Sequence, residues 1–258
     1  MARYGMVIDL KKCVGCQACV AACKETWDAP PGQSRDWVYE YEGRDASGQQ
    51  ILTYYPGLCN HCDITPCVDA CPTHATFKDE HGIVVIDPDV CIGCGYCISA
   101  CPYNARYHDD RRNIADKCNY CKPRLASGGQ PACVTTCLGH CRYFGDMDDP
   151  GSDPRRVMAA KETGVLVSAA VSIGPNTRYV GERERALIMA HGVPGSYALV
   201  PAGNFWKRVI DPVGKALLLL SGAGMIGLLA ITQLRSRFGK HSAAASAAEG
   251  EHDVGARD

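Results

Sequence analysis

The stretch CIGCGYCISACP, residues 91–102, decides how this chain folds. Its four cysteines are separated by two, two and three residues, and a proline follows the last of them. Two residues between thiolates allow a tight loop to wrap one corner of a metal cluster, so that three sulfurs reach three irons of one cube. Gly93 and Gly95 stand between these cysteines, and glycine tolerates the left-handed backbone that such a loop needs. The spacing is typical of loops that hold [4Fe–4S] clusters.

The pattern occurs four times among the 17 cysteines of this 258-residue chain. Every group opens with C-x2-C and closes with C-x3-C, and the middle gap is two residues in groups one and three, four in group two and eleven in group four. The groups are Cys13, Cys16, Cys19, Cys23; Cys59, Cys62, Cys67, Cys71; Cys91, Cys94, Cys97, Cys101; and Cys118, Cys121, Cys133, Cys137. Cys141 is left over, and we expect an ordinary buried thiol, with exchange with Cys137 as a ligand as the alternative.

Two other uses of so many cysteines compete with this one. A disulfide framework is typical of secreted proteins, but residues 1–9 contain neither an apolar signal region nor a twin arginine, so we expect metal binding. Structural zinc uses paired C-x2-C elements, yet rarely a third cysteine at x2 followed by a fourth at x3. No C-x-x-C is followed by His, which excludes attached c-type haem.

An internal repeat organises the chain around these groups. The segment VIDLKKCVGC, residues 7–16, resembles VIDPDVCIGC, residues 85–94, and both predict a short strand that leads into a cluster loop. His81 and Gly82 predict a hairpin turn before the second copy. Residues 20–22 and 98–100 predict the start of short helices that carry each fourth cysteine toward another cube. Groups two and three then form one module, and groups one and four form a second around it.

We therefore expect an α+β, loop-rich fold with short strands, made of two tandem 2[4Fe–4S] ferredoxin-like modules and one C-terminal transmembrane helix. Residues 164–168 and 176–180 predict strands that complete the globular part. The predicted parts are an outer module at 1–55 with 112–200, an inserted module at 56–111, a linker at 201–215, a transmembrane helix at 216–234 and a disordered tail at 235–258.

The predicted membrane span is the uncharged segment at residues 216–234. Its length suits a helix that crosses a bilayer, whereas a buried helix that is apolar on every side needs a larger core than this chain offers. Basic residues are equally frequent on both sides of the segment, so the orientation stays open.

Composition and motifs exclude several functions. The formal net charge of −1 offers no basic footprint for nucleic acid. No Walker loop, serine nucleophile elbow or H-E-x-x-H occurs in the sequence, so we expect no catalytic residues. The chemistry that remains is the transfer of single electrons between clusters.

With these four groups, and with RYFGDMDDP at residues 142–150, the sequence resembles the four-cluster iron–sulfur subunits of the dimethyl sulfoxide reductase superfamily. These serve polysulfide, thiosulfate, tetrathionate and nitrate reductases and formate dehydrogenases. The likeness covers residues 3–185, and Leu138 departs from it where many relatives have proline. It implies electron transfer between a catalytic molybdenum or tungsten bis-pterin subunit and an integral membrane subunit, quinone-reactive or a cytochrome b. Service to a membrane-bound nickel–iron hydrogenase is the alternative.

The resemblance also implies how the ligands are shared, because groups one and four, and groups two and three, exchange their fourth cysteines. The four implied sets are a (Cys13, Cys16, Cys19, Cys137), b (Cys23, Cys118, Cys121, Cys133), c (Cys59, Cys62, Cys67, Cys101) and d (Cys71, Cys91, Cys94, Cys97). No position is missing, so we expect four [4Fe–4S] cubes. Several such subunits cross the membrane folded, on a partner's export signal, which favours the periplasmic face over the cytoplasmic one.

Overall fold

Short strands and helices alternate with the cysteine groups along the chain. The computed structural model describes residues 2–45, 47–166 and 173–193. The strands are β1 (Tyr4–Asp9), β2 (Asp36–Arg44), β3 (Gln50–Leu58), β4 (Thr76–Lys78), β5 (Val84–Ile86), β6 (Tyr107–Asp109), β7 (Ile114–Asp116), β8 (Arg142–Asp146), β9 (Thr163–Gly164) and β10 (Thr177–Val180). The helices are α1 (Ala18–Trp27), α2 (Pro66–Asp69), α3 (Tyr96–Ser99), α4 (Lys122–Ala126), α5 (Ala132–Thr135), α6 (Asp153–Ala160) and α7 (Glu182–His191).

Each cysteine group lies between a strand that leads into it and a strand that leads out of it. The strand that leaves one group pairs antiparallel with the strand that enters the next, as β2 does with β3, β4 with β5, and β6 with β7. The strand that leaves group four, β8, pairs antiparallel with β1, which enters group one. The pairing therefore closes a ring, and the four groups occupy repeated positions within it.

The largest sheet has the strand order β8-β1-β10-β9. Its central strand β1 is antiparallel to β8 and parallel to β10. Met6, Val7 and Ile8 are completely buried there, which is how an apolar run behaves in a strand that is covered on both faces. This strand anchors group one, because a single 3-10 turn at Leu10–Lys12 separates it from Cys13.

The predicted repeat is confirmed in the backbone. Both copies contain a strand that leads into a cysteine loop, β1 and β5. The predicted hairpin joins β4 to β5, and its turn is closed by a 3.0 Å hydrogen bond from the Gly82 N–H to the Asp79 carbonyl. The predicted helices are α1 and α3, and both begin earlier than expected, so that Cys19 and Cys97 already lie inside them. Helix α1 packs on α5, and α2 packs on α3.

The C-terminal part of the described structure was predicted less well. The strand expected at 176–180 is confirmed as β10. The strand expected at 164–168 overlaps β9 only at Gly164, residues 165 and 166 are not in a strand, and residues 167 and 168 lie outside the described residues. A hairpin of two nine-residue strands, β2 with β3, and helices α6 and α7 were not foreseen. The hairpin's signal was its β-branched and aromatic side chains on either side of a Gly-containing turn.

The predicted linker at 201–215, the transmembrane helix at 216–234 and the tail at 235–258 all lie outside the described residues. Within residues 2–45, 47–166 and 173–193, no helix has both the length and the apolar character that a bilayer crossing requires.

Candidate iron–sulfur sites

The four cysteine loops share one backbone feature. The residue before the second cysteine has a positive φ in each, namely Gly15 (68°), His61 (44°), Gly93 (68°) and Tyr120 (52°). At Gly15 a side chain is impossible without rearrangement, because a Cβ there would lie 2.3 Å from the Tyr54 ring. Groups two and four carry rings at this position instead. The rings of His61 and Tyr120 stack on each other with centroids 3.8 Å apart, which joins the two loops in the interior.

The chain leaves three of the groups by a second shared turn. The third residue after the fourth cysteine has a positive φ in groups two, three and four, at His74, Asn104 and His140. The turn aims the next backbone N–H at the fourth cysteine's sulfur. The Ala105 N–H lies 3.5 Å from the Cys101 sulfur, and the Cys141 N–H lies 3.3 Å from that of Cys137. Such N–H groups stabilise a thiolate and adjust cluster potentials.

One cavity, with an empty volume of about 310 Å³, is lined by all four cysteines of set a and by Cys141. Three of the set come from group one, and Cys137 comes from group four, so the structure brings the exchanged residue to the implied partner group. A hydrogen bond with Cys141 lowers the pKa of Cys13 to about 6 against the opposing effect of burial. Cys16 is solvent-exposed, whereas Cys19 is buried.

A second cavity, with an empty volume of about 330 Å³, is lined by all four cysteines of set c. Here Cys101 of group three joins the first three cysteines of group two. His61, Tyr103 and Arg106 also line this cavity. The two cavities are therefore built in the same way from two different pairs of groups.

For sets b and d, the proximity of the cysteines is indicated by electrostatic interactions and by helix packing. Burial raises the pKa of Cys23, and nearby Cys133 and Cys121 raise it further, while Cys23 acts in the same way on Cys118. These four cysteines of set b therefore lie within electrostatic reach of one another. For set d, the contact is between helices, since α2 precedes Cys71 and packs on α3, which contains Cys97.

Two buried guanidinium groups touch cysteine sulfurs. The Arg142 Nη2 atom lies 3.4 Å from the Cys19 sulfur and 2.8 Å from the Asp36 carboxylate. The Arg106 Nη2 atom lies 3.0 Å from the Cys67 sulfur. Burial opposes the charge of Arg106, yet the surrounding cysteines, Cys67 first, more than offset it and raise its pKa. In both cavities the sulfur that is contacted belongs to the third cysteine of a group.

A third buried cation, Lys117, lies between the loops of groups two and four. Its Nζ donates hydrogen bonds to the carbonyl oxygens of Val84 and Cys118. Burial lowers the pKa of Lys117, and nearby Cys59 and Cys118 oppose this. Neither Lys117 nor Arg106 forms an ion pair with a carboxylate in the described part of the chain.

These donor sets fit iron–sulfur cubes. A cube held by four thiolates is an anion, and buried cations require a compensating negative charge. Lys117 and Arg106 lack a carboxylate that would supply it, and the Nε and Nη1 atoms of Arg142 have no hydrogen-bond partner among the described residues. Four or more cysteine sulfurs around one cavity, beside such cations, suit [4Fe–4S] better than a harder metal ion.

Sequence reasoning missed the cations, although a signal for two of them was present. Arg106 and Arg142 each stand five residues after the fourth cysteine of their group. Their shared position reflects the shared exit turn described above. Lys117 directly precedes Cys118 as Lys12 directly precedes Cys13. Lys12 is exposed and Lys117 is buried, so the position alone could not have singled out Lys117.

Comparison with known families agrees with this geometry. Two family models, each described as a 4Fe-4S dicluster domain, match residues 12–75 and 50–147. A polysulfide reductase chain of Wolinella succinogenes is 45% identical over 163 residues, which is 62% of this protein and 85% of the relative. This protein belongs to the same 4Fe-4S dicluster family as that relative.

Other members of the family have closely similar sequences. The thiosulfate reductase electron transfer subunit of Salmonella typhi is 44% identical over 164 residues, 62% of this chain and 83% of that protein. A tetrathionate reductase subunit of Salmonella typhimurium is 46% identical over 151 residues. That match spans 58% of this chain and only 60% of the relative's length. As a 4Fe-4S dicluster protein with two such domains, the chain has the architecture of an iron–sulfur electron carrier.

Proposed function

We propose that this protein relays single electrons through four [4Fe–4S] clusters within a larger oxidoreductase. The observation that carries the proposal is the pair of cavities, each lined by three cysteines of one group and by the fourth cysteine of another. This arrangement supports the exchanged ligand sets a and c, and the contacts among Cys23, Cys118 and Cys133 support set b. Set d follows from the same repeat.

The buried cations suggest the order in which the clusters would follow one another. Arg142 is in the electrostatic field of Cys19 of set a and Cys133 of set b. Cys118 of set b and Cys59 of set c both raise the pKa of Lys117. Arg106 links set c with set d in the same way, because Cys67 and Cys97 both raise its pKa. We infer the sequence a, b, c, d, with one buried cation at each junction.

The chain's own residues have three tasks in such a relay. The cysteines hold the clusters, the backbone N–H groups donate hydrogen bonds to their sulfurs, and the three cations neutralise charge where neighbouring sites approach. When bound, the clusters supply reversible one-electron chemistry, with potentials set by charge, hydrogen bonds and exposure. A partner must carry out the two-electron reaction on a substrate.

Both ends of the proposed relay reach the surface. Cys16 of set a and Cys94 of set d are the two solvent-exposed cysteines of the chain. Large apolar side chains are exposed near each in the sequence, Val14 (56%) two residues before Cys16 and Ile92 (60%) two residues before Cys94. Exposed apolar residues around a terminal redox site suit the docking of another subunit. We propose a catalytic Mo/W-bis-pterin subunit at one end and an integral membrane quinone-reactive or cytochrome b subunit at the other.

Anaerobic purification of the intact complex tests the relay. We expect about sixteen irons per copy of this chain, no stoichiometric [3Fe–4S] signal in the electron paramagnetic resonance (EPR) spectrum of the oxidised protein, and molybdenum or tungsten in a co-purifying subunit. Far fewer irons after reconstitution would contradict the relay itself. Nickel in place of molybdenum or tungsten would contradict only the proposed catalytic partner.

Membrane attachment through residues 216–234 and a periplasmic position of the clusters complete the proposal, and they need their own measurement. The uncharged sequence of that segment supports the first. Release from membranes by high salt without detergent would contradict it. Protease treatment of intact spheroplasts tests the second, because only a periplasmic iron–sulfur part is degraded from outside.

A further inference from the structure

The cavity of set a contains one sulfur more than a cube can bind. Cys141 lines it together with the four implied ligands. The thiol is buried, with 2% of the residue exposed, and its sulfur lies 3.4 Å from that of Cys137. Cys13, a second implied ligand, lines the same cavity.

The repeated exit turn shows that this thiol is an addition to a standard position. The residue four places after the fourth cysteine is Ala75 in group two and Ala105 in group three, whereas it is Cys141 in group four. All three direct the backbone N–H at the preceding cysteine's sulfur. Ala75 and Ala105 are as buried as Cys141. At one backbone position, groups two and three therefore have a methyl group where group four has a thiol.

A second feature of the cavity points to a bound anion next to that thiol. Arg142, the residue after Cys141, lines the cavity with a side chain that is completely buried. Its Nη2 atom contacts Cys19 and Asp36, but its Nε and Nη1 atoms have no hydrogen-bond partner among the described residues. These two N–H groups of Arg142 lie beside five cysteine sulfurs and suit an anionic cluster. Cys141 lines the same cavity and could reach an iron of that cluster.

We propose that Cys141 is a reserve ligand of cluster a, which can replace Cys137 on the same iron. This inference rests on the proposed function, since it requires a cube in set a. In the exchange, the bond between the Cys137 sulfur and iron breaks and a bond from the Cys141 sulfur forms. The proton of the Cys141 thiol passes to the Cys137 thiolate. No electron is gained or lost, and the charge of the site is unchanged.

The test uses the full chain, purified anaerobically with its clusters, and three variants, Cys137→Ala, Cys141→Ala and Cys137→Ala/Cys141→Ala. Total iron and EPR of the oxidised protein are measured for each. We expect Cys137→Ala to keep the iron content of the unmodified protein and to show no [3Fe–4S] signal. The double variant should lose at least one iron per chain and show either one [3Fe–4S] signal or the loss of that cluster.

Set c supplies a matched control, because its cavity has the same layout and an alanine at the equivalent position. Cys101→Ala should lose iron as a single variant, since no spare sulfur lines that cavity. Adding Ala105→Cys to it should restore the missing iron. This second pair keeps the inference testable if Cys137→Ala fails to fold, because it moves the reserve ligand to the other module.

The outcomes are distinct. Retention of iron by Cys137→Ala together with its loss in the double variant supports the reserve ligand. Equal losses in Cys137→Ala and the double variant overturn it and leave the relay intact. Loss in Cys141→Ala alone overturns it differently, because Cys141 would then be the resident ligand. An unmodified chain without clusters contradicts the proposed function, and the reserve ligand with it.

Discussion

The cavities of sets a and c have the same layout, but the buried arginine is paired with a carboxylate in cavity a and with a neutral hydroxyl in cavity c. Each has a buried arginine on the third cysteine of a group, at Cys19 and Cys67, and a backbone N–H on the fourth. In cavity a, the arginine is paired with the buried Asp36 at 2.8 Å. In cavity c, Arg106 has a neutral partner instead, the Thr76 hydroxyl at 3.2 Å.

The difference predicts different potentials for clusters held in the two cavities of one repeated fold. Reduction adds a negative charge, which a buried cation stabilises and a buried carboxylate disfavours. Arg106 and Lys117 both act on cavity c without a neutralising carboxylate, whereas Asp36 offsets Arg142 in cavity a. We therefore expect the cluster of set c to have a higher potential than that of set a.

Removal of iron should produce the largest difference between the two modules, a difference in their stability. Without clusters, Arg106 and Lys117 are buried cations with no compensating anion, while Arg142 keeps Asp36. Uncompensated buried charge costs several kcal/mol, so the inserted module should unfold before the outer one. Hydrogen exchange after chelation should show the amides of β4 and β5 losing protection before those of β1. Equal loss of protection in both modules would contradict the role of the cations.

The next largest effect is expected from Lys117→Met. Removing a unit charge from a dehydrated site changes the free energy of reduction by on the order of 2 kcal/mol, or roughly 80 mV for one electron. A potentiometric titration followed by EPR should show at least one potential lowered by that amount. Arg156→Met is the control, because the exposed Arg156 is paired with the exposed Asp153 on helix α6. An unchanged potential in Lys117→Met would contradict the electrostatic explanation.

Asp36→Asn should act in the opposite direction and somewhat less strongly. It leaves the charge of Arg142 without its carboxylate, so the potential of a cluster in the outer module should rise. A change of about 1 to 2 kcal/mol corresponds to roughly 40 to 80 mV. Glu40→Gln, at an exposed position of the same strand, is the control and should leave all potentials in place. A fall in potential would show that cavity a is not governed by this pair.

The smallest effect is expected for a neutral donor. The indole N–H of Trp27 donates to the Cys121 sulfur at 3.3 Å, and Trp27→Phe removes that hydrogen bond. The expected loss of about 1 kcal/mol lowers one potential by roughly 40 mV. Trp37→Phe is closely matched, because the indole nitrogen of Trp37 is buried without a hydrogen-bond partner among the described residues. Equal shifts in the two variants would attribute the effect to packing.

The sequence predicted the parts of this molecule that depend on short spacing. The cysteine loops, the strand before each copy of the repeat and the hairpin at Gly82 all follow from neighbouring residues. The charge environment does not, since Arg142 and Cys19 are 123 residues apart and Arg106 and Cys67 are 39 apart. Such contacts arise only when the ring of strand pairs closes. Asp36 was equally invisible, because the β2–β3 hairpin that carries it was not predicted.

The exposure of Cys16 and Cys94 has a practical consequence for anyone handling the protein in air. In the proposed relay, oxygen would reach the clusters of sets a and d first, while those of sets b and c stayed protected behind buried side chains. A sample could then keep much of its brown colour and half of its metal, yet exchange no charge with a partner, since both points of entry would be gone. Colour is therefore a poor guide to whether a preparation still transfers electrons to a partner.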